Sequence, residues 1–545
     1  MQGPLSQSVA ALCRALLPQV SPRTAGGIGE ILRRLDTPLQ LAVAGRIKSG
    51  KSTLVNALIG RRVAPTDIGE CTRLVTRFQY GTVDRIEVVH RDGRRTTVPF
   101  APDGGIPPDL TSAAGISIDE VSHLEAYLTS ALLADVTVID TPGLGSMDTA
   151  SVSRTEALLG TANQQGSAGD AEAGVGAESD SLDRVSEFAV AGAEAVVYVF
   201  TQSVRADDTQ VLAAFTAATA SRDAGPVNAL GVLNKADTIP ADSVEGSGGD
   251  AWTAARLVAQ SQAALLRPRV ADVLPMNGLL AETSETGAFT GADAEALRTL
   301  AGVDPALFDA MMMAADLFTT LELGVPGEVE TAVRMRLLQL LDLYGINVAV
   351  QQIRAEPAIS AGELRRRLSA RSGLEELRRR LGEVFRLRAD GIKASAALAS
   401  IGLLASVADD VHERQRIADG IEMLLQRPAA HQLRLMEALT LVSGSSVQFD
   451  TDLTAEILRL GSSTHPEEML GLPQASSAQL QTAALERAGW WRSFASFGAT
   501  PAQARIAHVV HRAYFLLWQQ LSGHRPTTPQ GLAGGRSAGP AGGRP

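Results

Sequence analysis
The stretch LQLAVAGRIKSGKSTLVNAL, residues 39–58, limits the possible folds of this chain more than any other segment. Within it Gly45, Gly50, Lys51 and Ser52 meet the spacing GxxxxGK[ST], directly after an apolar run of strand character and directly before a helical pattern. Four residues between the glycines let the backbone curl until successive amides face one anion, and the helix start adds its own free N–H groups. Lys51 is then expected on the β and γ oxygens of a nucleotide and Ser52 on Mg²⁺, with Gly45, Ile47, Lys48, Ser49, Gly50 and Thr53 completing the contacts. A chain with this bend is expected to fold as an α/β protein around a P-loop.

The flanking pattern agrees. Short β-rich runs, RIEVVHRDGRRTTV, DVTVID, AVVYVF, ALGVLN and DVLPM, are separated by helical lengths, which predicts a mixed, mostly parallel sheet wrapped by helices. Asp92-Gly93 between two β-prone runs predicts an antiparallel hairpin with a primed turn at one edge. Upstream, amphipathic stretches at 5–20 and 28–35, separated by Pro22 and Gly26-Gly27, predict two helices. Beyond about Gly291 helical periodicity takes over: Val333, Leu337, Leu340, Leu341 and Tyr344 share one face. Leu374, Leu377, Leu381, Val384 and Ile392 share another, preceded by a capping box of Ser372 and Glu375. The expected division is helices over 1–37, an α/β domain over 38–290, an all-α bundle over 291–525 and a disordered tail over 526–545. An insertion near 161–183, starved of large apolar residues, is expected to be disordered.

Further motifs narrow the ligand. VTVIDTPG, residues 136–143, ends a strand with Asp140, placed to hold the Mg²⁺ shell, and puts Gly143 where its amide reaches a γ-phosphate unobstructed. ALGVLNKAD ends another strand with Asn234, Lys235 and Asp237. A carboxylate at Asp237 accepts both the N1 and N2 protons of guanine, a donor pair that adenine does not offer, so GTP is preferred. Asn277, in Met276-Asn277-Gly278, is a weaker candidate for bracing the base through backbone groups. Between the first two motifs lie Thr66 and Thr72, and a GTPase needs one such hydroxyl on Mg²⁺ with its carbonyl positioning water; Thr72 is the choice.

Charge and composition exclude some roles. Lys plus Arg number 49 against 60 Asp plus Glu, a net charge of −11 that makes bulk nucleic-acid binding a poor default. Two cysteines, Cys13 and Cys71, build no disulfide framework, and the chain opens without a leader pattern, which fits a reducing cytosol. A membrane span needs about 20 apolar residues, and residues 394–408 are uncharged but short, so a closely packed helix is expected. Arginines 365, 366, 367, 371, 378, 379, 380, 386 and 388 invite a lipid-surface role, but Glu363, Glu375, Glu376 and Glu383 interrupt them, and a salt-bridged solvated face is expected. Trp490, Trp491, Phe494 and Phe497 are read as core packing rather than a lipid wedge.

Taken in order, GRIKSGKSTLVNAL, APTDIGECTRLVT, VIDTPGLGS, LNKAD and PMNGLLA resemble a bacterial dynamin-like GTPase. The stretches LLDLYGI, RSGLEELRRRLGEVFRLRADGIKASAAL and WWRSFA resemble the helical region of the isoniazid-inducible dynamin-like proteins of actinobacteria, in particular their C-type member. The resemblance implies a GTPase head on a helical neck and trunk, with residues 1–37 as neck helices. It also implies GTP-dependent head-to-head dimerisation, and remodelling of a membrane, at the septum or in a stressed envelope, by a cytoplasmic, peripherally attached protein or through a membrane-bound paralogue. Eukaryotic dynamins carry Gln and Ser where Ile47 and Lys48 stand; Ile47 cannot orient water, while Lys48 either supplies charge to the α/β-phosphate bridge, a catalytic role beside Lys51 and Thr72, or faces solvent. A regulatory GTPase of ribosome assembly or tRNA modification and a non-hydrolysing GTP-bound scaffold are the alternatives.

Overall fold
The computed structural model describes residues 3–65, 74–141, 193–205, 208–209, 212, 228–266, 269–321, 329–386, 388–427, 430–443, 447–463 and 465–523. Thr66, Thr72, Gly143, the insertion near 161–183 and the tail lie outside these residues. The chain divides into two compact units, Met1–Gln448 and Phe449–Pro545.

Nine strands form one sheet: β1 Leu39–Gly45, β2 Thr76–Tyr80, β3 Arg85–His90, β4 Arg95–Val98, β5 Val121–Leu128, β6 Val136–Asp140, β7 Ala195–Thr201, β8 Ala229–Asn234 and β9 Val273–Met276. Their order is β4-β3-β5-β2-β6-β1-β7-β8-β9. The five from β6 to β9 run parallel, β2 turns antiparallel against β6, and β3 lies antiparallel to both β4 and β5, so the sheet is mixed on one side as expected. Parallel central strands are covered on both faces and so read as continuous apolar runs. In β1 the two-residue period sends Leu39, Leu41 and Val43 to one core and Ala42 and Ala44 to the other. Helix Lys51–Ile59 fills the first face and helix Ala251–Leu266 the second.

Two strands escape the sequence pattern. β5 carries Glu125 inward, where Tyr127 Oη and Arg95 Nη1 both donate to it at 2.8 Å, and hydrogen bonds led by that from His123 hold its carboxyl down to about 2. A buried but satisfied carboxylate breaks the apolar alternation without breaking the strand. β2, TRFQY, is too short and polar to stand out. The hairpin at Asp92-Gly93 forms, but its turn differs: only Gly93 is left-handed (φ +85°), and its N–H donates to His90 O at 3.0 Å. A primed turn needs positive φ at the first central residue or at both; here neither Arg91 nor Asp92 has it, and the turn is followed by a single left-handed glycine.

Helices Pro4–Leu16 and Pro22–Asp36 replace the expected stretches. Gly26 and Gly27 lie inside the second helix rather than ahead of it, because a Cβ on Gly27 would lie 2.6 Å from Leu404 Cδ2 and close approach is what the position requires. Both helices bury Leu5, Val9, Ile28 and Ile31 against helices Ala389–Val407 and Val411–Leu425. The first helix has Gly3 as its cap, with no side chain to offer, and the Asp390 carboxylate accepts from the N–H groups of Leu5 and Ser6, both at 2.9 Å. Ala389–Val407 includes all but the last residue of the uncharged stretch and, unlike that stretch alone, is long and apolar enough to cross a membrane; more than half of it is buried inside the protein.

Among the later helices, Leu337, Leu340 and Leu341 of Thr331–Ala355 are buried, with Val333 and Tyr344 at the margin. Leu374, Leu377, Leu381, Val384 and Ile392 all enter the core of the β-sheet, but they do not share one helix: the first three lie on Leu374–Leu381, Val384 in the π-helical turn Gly382–Arg386 and Ile392 on Ala389–Val407. Helix Leu374–Leu381 has no capping box: left-handed Gly373 (φ +82°) takes the cap position, and Ser372 Oγ accepts instead from Leu374 N at 3.2 Å. The arginine-rich surface is salt-bridged, Arg379 to Glu376 and Glu383, Arg380 to Asp272 and Glu383, and Arg378 to Glu285.

In the second unit, helices Thr451–Ser462, Ser477–Phe497 and Pro501–Leu521 pack around Glu456, which accepts from Trp491 Nε1 and Tyr514 Oη at 2.9 Å and from Arg487 Nε at 2.8 Å.

A Cβ on Gly373 would sit 2.6 Å from Pro275 O in a left-handed conformation. Gly373→Ala is therefore expected to cost about 2–4 kcal/mol, adding backbone strain to overpacking. Gly60→Ala, equally left-handed (φ +80°) but facing open space, is expected to cost only about 1 kcal/mol; urea unfolding of both variants makes the comparison.

Candidate nucleotide site
The bend between β1 and its helix is shaped by two close approaches. At Gly45 (φ +147°) a Cβ would fall 2.1 Å from Val199 O of β7, and at Gly50 (φ +91°) 2.2 Å from Asn234 Nδ2 of β8. Neither position tolerates a side chain, so the GxxxxG spacing is enforced by the neighbouring strands as well as by the ligand. Lys48 between them is also left-handed (φ +63°) and exposed, and Ile47 stands 66% exposed.

Lys51 is buried, and its Nζ donates to Arg46 O at 2.9 Å across the bend. Ser52 Oγ donates to Asp140 Oδ2 at 2.9 Å. Burial pushes the Asp140 carboxyl up to about 6 against the opposing pull of Lys51, Ser52 and the Thr141 amide, and burial likewise lowers the Lys51 ammonium. Both charged groups are thus held in a desolvated place. Asp140 Oδ1 and Ser49 Oγ are buried without a hydrogen-bond partner. A cation between Ser52 and Asp140, and a polyanion along the amides and Lys51, would satisfy what the protein leaves unmatched. The donor set therefore fits Mg²⁺ with a nucleotide phosphate chain. Thr141 Oγ1 donates to Val43 O at 3.0 Å, fixing the strand end that carries Asp140; Thr53 continues the helix.

On the base side, Asn234 is buried and bridges two loops. Its Nδ2 donates to Ser49 O at 2.8 Å and its Oδ1 accepts from Gly278 N at 2.9 Å. Lys235 is left-handed (φ +55°) and exposed, which turns the chain so that Asp237 follows at the rim. Burial raises the Asp237 carboxyl, and the nearby charge of Asp342 adds to the rise. Asn277 is used otherwise than expected: its Oδ1 caps helix Gly278–Glu285 by accepting from Leu280 N at 3.0 Å, and its own N–H donates to Ser372 O at 2.9 Å. Those two groups serve the helix and its neighbour.

A match to the Dynamin family model spans residues 41–236. Over 463 residues the chain is 32% identical to the isoniazid-induced protein IniC of Mycobacterium tuberculosis, covering 84% of this chain and 85% of that one. The chain belongs to the dynamin family. Its members are GTPases, so this site is that of a bacterial dynamin-like GTPase. The bacterial dynamin-like protein of Nostoc punctiforme is 27% identical over 133 residues, 23% of this chain and 19% of that one. A solved structure of an oligomerised bacterial dynamin pair aligns with 94% of this chain and 90% of its own at 12% identity and a TM-score of 0.32.

Several residues of this dynamin-family site escaped sequence reasoning. Arg46 Nε, inside the bend, donates to Asp208 Oδ1 at 3.0 Å, and Tyr198 Oη donates to the same oxygen at 2.7 Å. Asn56, on the helix after the bend, accepts from Val63 N (2.9 Å) and Ala64 N (2.7 Å), and donates to Ala64 O (3.0 Å) and Glu282 Oε1 (2.7 Å). It holds the root of the segment that leads to Thr72. Its signal was present: a lone amide inside the apolar run LVNALI. Asp342 breaks helix Thr331–Ala355 with φ 53° and ψ 179°, and nothing in the sequence marks that break.

Asn234→Ala leaves Ser49 O and Gly278 N unpaired in the interior, and is expected to lower the stability of the nucleotide-free protein by about 2–4 kcal/mol, measured by urea unfolding before any ligand is added. Burial also raises the Glu282 carboxyl, partly opposed by Asn56 and Arg62. The native state then keeps a proton that the unfolded chain has released, so stability falls as pH rises from the ordinary glutamate value through the raised one. Glu282→Gln keeps the acceptor for Asn56 and removes the charge. Unfolding at a series of pH values is expected to show the variant gaining on the wild type above that window and losing the gain below it.

Proposed function
We propose that the protein is a mechanochemical GTPase that hydrolyses GTP to GDP and phosphate, dimerises through its GTPase domain in the triphosphate state, and uses the cycle to remodel a membrane. In this scheme residues 1–37 and the helices after 290 act as neck and trunk, and the protein works from the cytoplasm, attached peripherally to lipid or to a membrane-bound dynamin-like paralogue, at the septum or in a stressed envelope. The observation that carries the proposal is the Asn234 bridge, which holds the phosphate bend, the base-side loop and Asp237 in one frame.

Within that frame each residue has a task. The amides from Lys48 to Ser52 line the phosphate chain, Lys51 neutralises the β and γ oxygens, and Gly143 approaches the γ-phosphate. Asp237 accepts from the guanine edge, with Lys235 beneath the base. Ser52, Asp140 and Thr72 would hold Mg²⁺, which when bound supplies positive charge to the β and γ oxygens. The Thr72 carbonyl orients water; its oxygen bonds to the γ-phosphorus, the bond to the β–γ bridging oxygen breaks, GDP keeps the electron pair, and the water proton ends on phosphate. Ile47 offers no group for the water. Exposed, left-handed Lys48 is positioned on the bend to meet charge developing on the leaving GDP once a second head covers it.

GTP turnover per molecule is expected to rise with protein concentration. Lys51→Ala is expected to lower kcat/KM by roughly 100-fold or more, whereas Lys48→Ala is expected to lower kcat with little change in KM, the mark of an interaction made only in the transition state. A dilute monomer with full activity would contradict the dimer; an unchanged kcat in Lys48→Ala would remove that residue from catalysis.

A further inference from the structure
The hairpin of the second unit, Ser477–Phe497 and Pro501–Leu521, has a surface unlike the rest of this acidic chain. Its two helices carry Arg492, Arg505 and Arg512 beside the single acid Glu486, with Arg487 donating to Glu456, in a protein whose net charge is −11. Among the described residues, every exposed Trp or Phe lies here: Trp490, Phe497 and Phe515. Phe497, the last residue before the Gly498-Ala499-Thr500 turn, is 94% exposed. Trp490, 40% exposed, stacks on Phe494 at 5.3 Å, with the Arg487 guanidinium 4.5 Å from its centroid.

Arg487 apart, which holds Glu456, the fold does not require these exposed side chains. Ala484, Ala488, Trp491, Val510, Tyr514 and Leu517 are among the buried residues of the two helices. Beside them opens a cleft of about 600 Å³ between the helices, with Gly489 in its lining and Leu485, Arg492, His508, Arg512 and Phe515 around it. A glycine there leaves room, and guanidinium forks match phosphate oxygens in shape and charge. Aromatic rings beside arginines suit a boundary that is apolar on one side and anionic on the other.

We infer that this hairpin is the surface by which the protein contacts an anionic phospholipid membrane, with Phe497 and Trp490 entering the headgroup boundary and the Arg492/Arg512 cleft receiving a lipid phosphate. The inference rests on the membrane role proposed above and assigns it to residues. A second acidic copy of the chain would match the arginines, but a ring standing as free of its own fold as Phe497 needs a shaped pocket in a protein partner and none in lipid.

The test is co-sedimentation of the full chain with vesicles of phosphatidylcholine alone and of phosphatidylcholine with phosphatidylglycerol, with inorganic phosphate as a competitor. Wild type is expected to bind the anionic vesicles, with free phosphate displacing it no more than chloride of equal ionic strength. Arg492→Ala/Arg512→Ala is expected to bind them roughly 25-fold more weakly, from about one basic-residue contribution each, and Phe497→Ser about tenfold more weakly. Both variants alter exposed side chains, and unchanged melting and lipid-free GTP turnover establish that they are folded. If wild type binds and both variants bind equally well, the hairpin assignment falls while the membrane role stands; if wild type binds no vesicle, the hairpin assignment falls and the membrane role is left to attachment through a membrane-bound paralogue. Loss of self-association in Phe497→Ser without any change in vesicle binding would reassign the surface to contact between copies and overturn the inference.

Discussion
One buried carboxamide sets the geometry on which the nucleotide site depends. Asn234 spends its NH₂ on Ser49 O and its oxygen on Gly278 N, so the phosphate bend cannot shift without leaving a buried donor or carbonyl unmatched. Gly50 passes so near the same amide that only hydrogen fits there. The shape of the bend is therefore a property of β8 as much as of the bend itself.

The same contact begins a longer chain of bonds. Helix Gly278–Glu285, held at its start by Asn234 and by the Asn277 N–H on Ser372 O, is held at its middle by Asn56 to Glu282 and by Thr283 Oγ1 on Leu340 O at 2.6 Å. At its end Glu285 accepts from Ser369 Oγ (3.0 Å) and Arg378 Nη2 (2.8 Å), and Arg378 also reaches Ala57 O at 3.3 Å. One short helix is thus bonded to the phosphate-binding helix, the base-side strand and the later helices. This helix is therefore bonded on one side to the nucleotide-binding elements and on the other to Leu340, Ser369 and Arg378.

Much of this was legible in the sequence because its signals are local. Gly45, Asp140 and Asn234 stand at strand ends, Gly50, Lys51 and Ser52 at the helix start that follows β1, and Asp237 three residues past β8, so apolar runs and spacing along one strand and turn locate them. Asn277 caps a helix, a use that asks for the same residue at the same place as a base contact. The Ser372–Glu375 pattern failed for a related reason: Gly373 between them takes the left-handed conformation that close contact with Pro275 demands. Sequence spacing records which side chains are available, not which backbone conformation the neighbours force.

The sequence by itself determined the phosphate bend, the choice of guanine, the parallel run of strands and the helical character of the second half, since each follows from periodicity or from residues within one turn of one another. Only the tertiary structure decided that the helix starting at Leu374 closes the sheet's core, that Asp390 caps a helix begun some 385 residues earlier, and that Asn56 meets Glu282. Those outcomes depend on which surfaces meet when the chain returns on itself, and burial acts on apolar area and unpaired polar groups irrespective of their distance along the sequence.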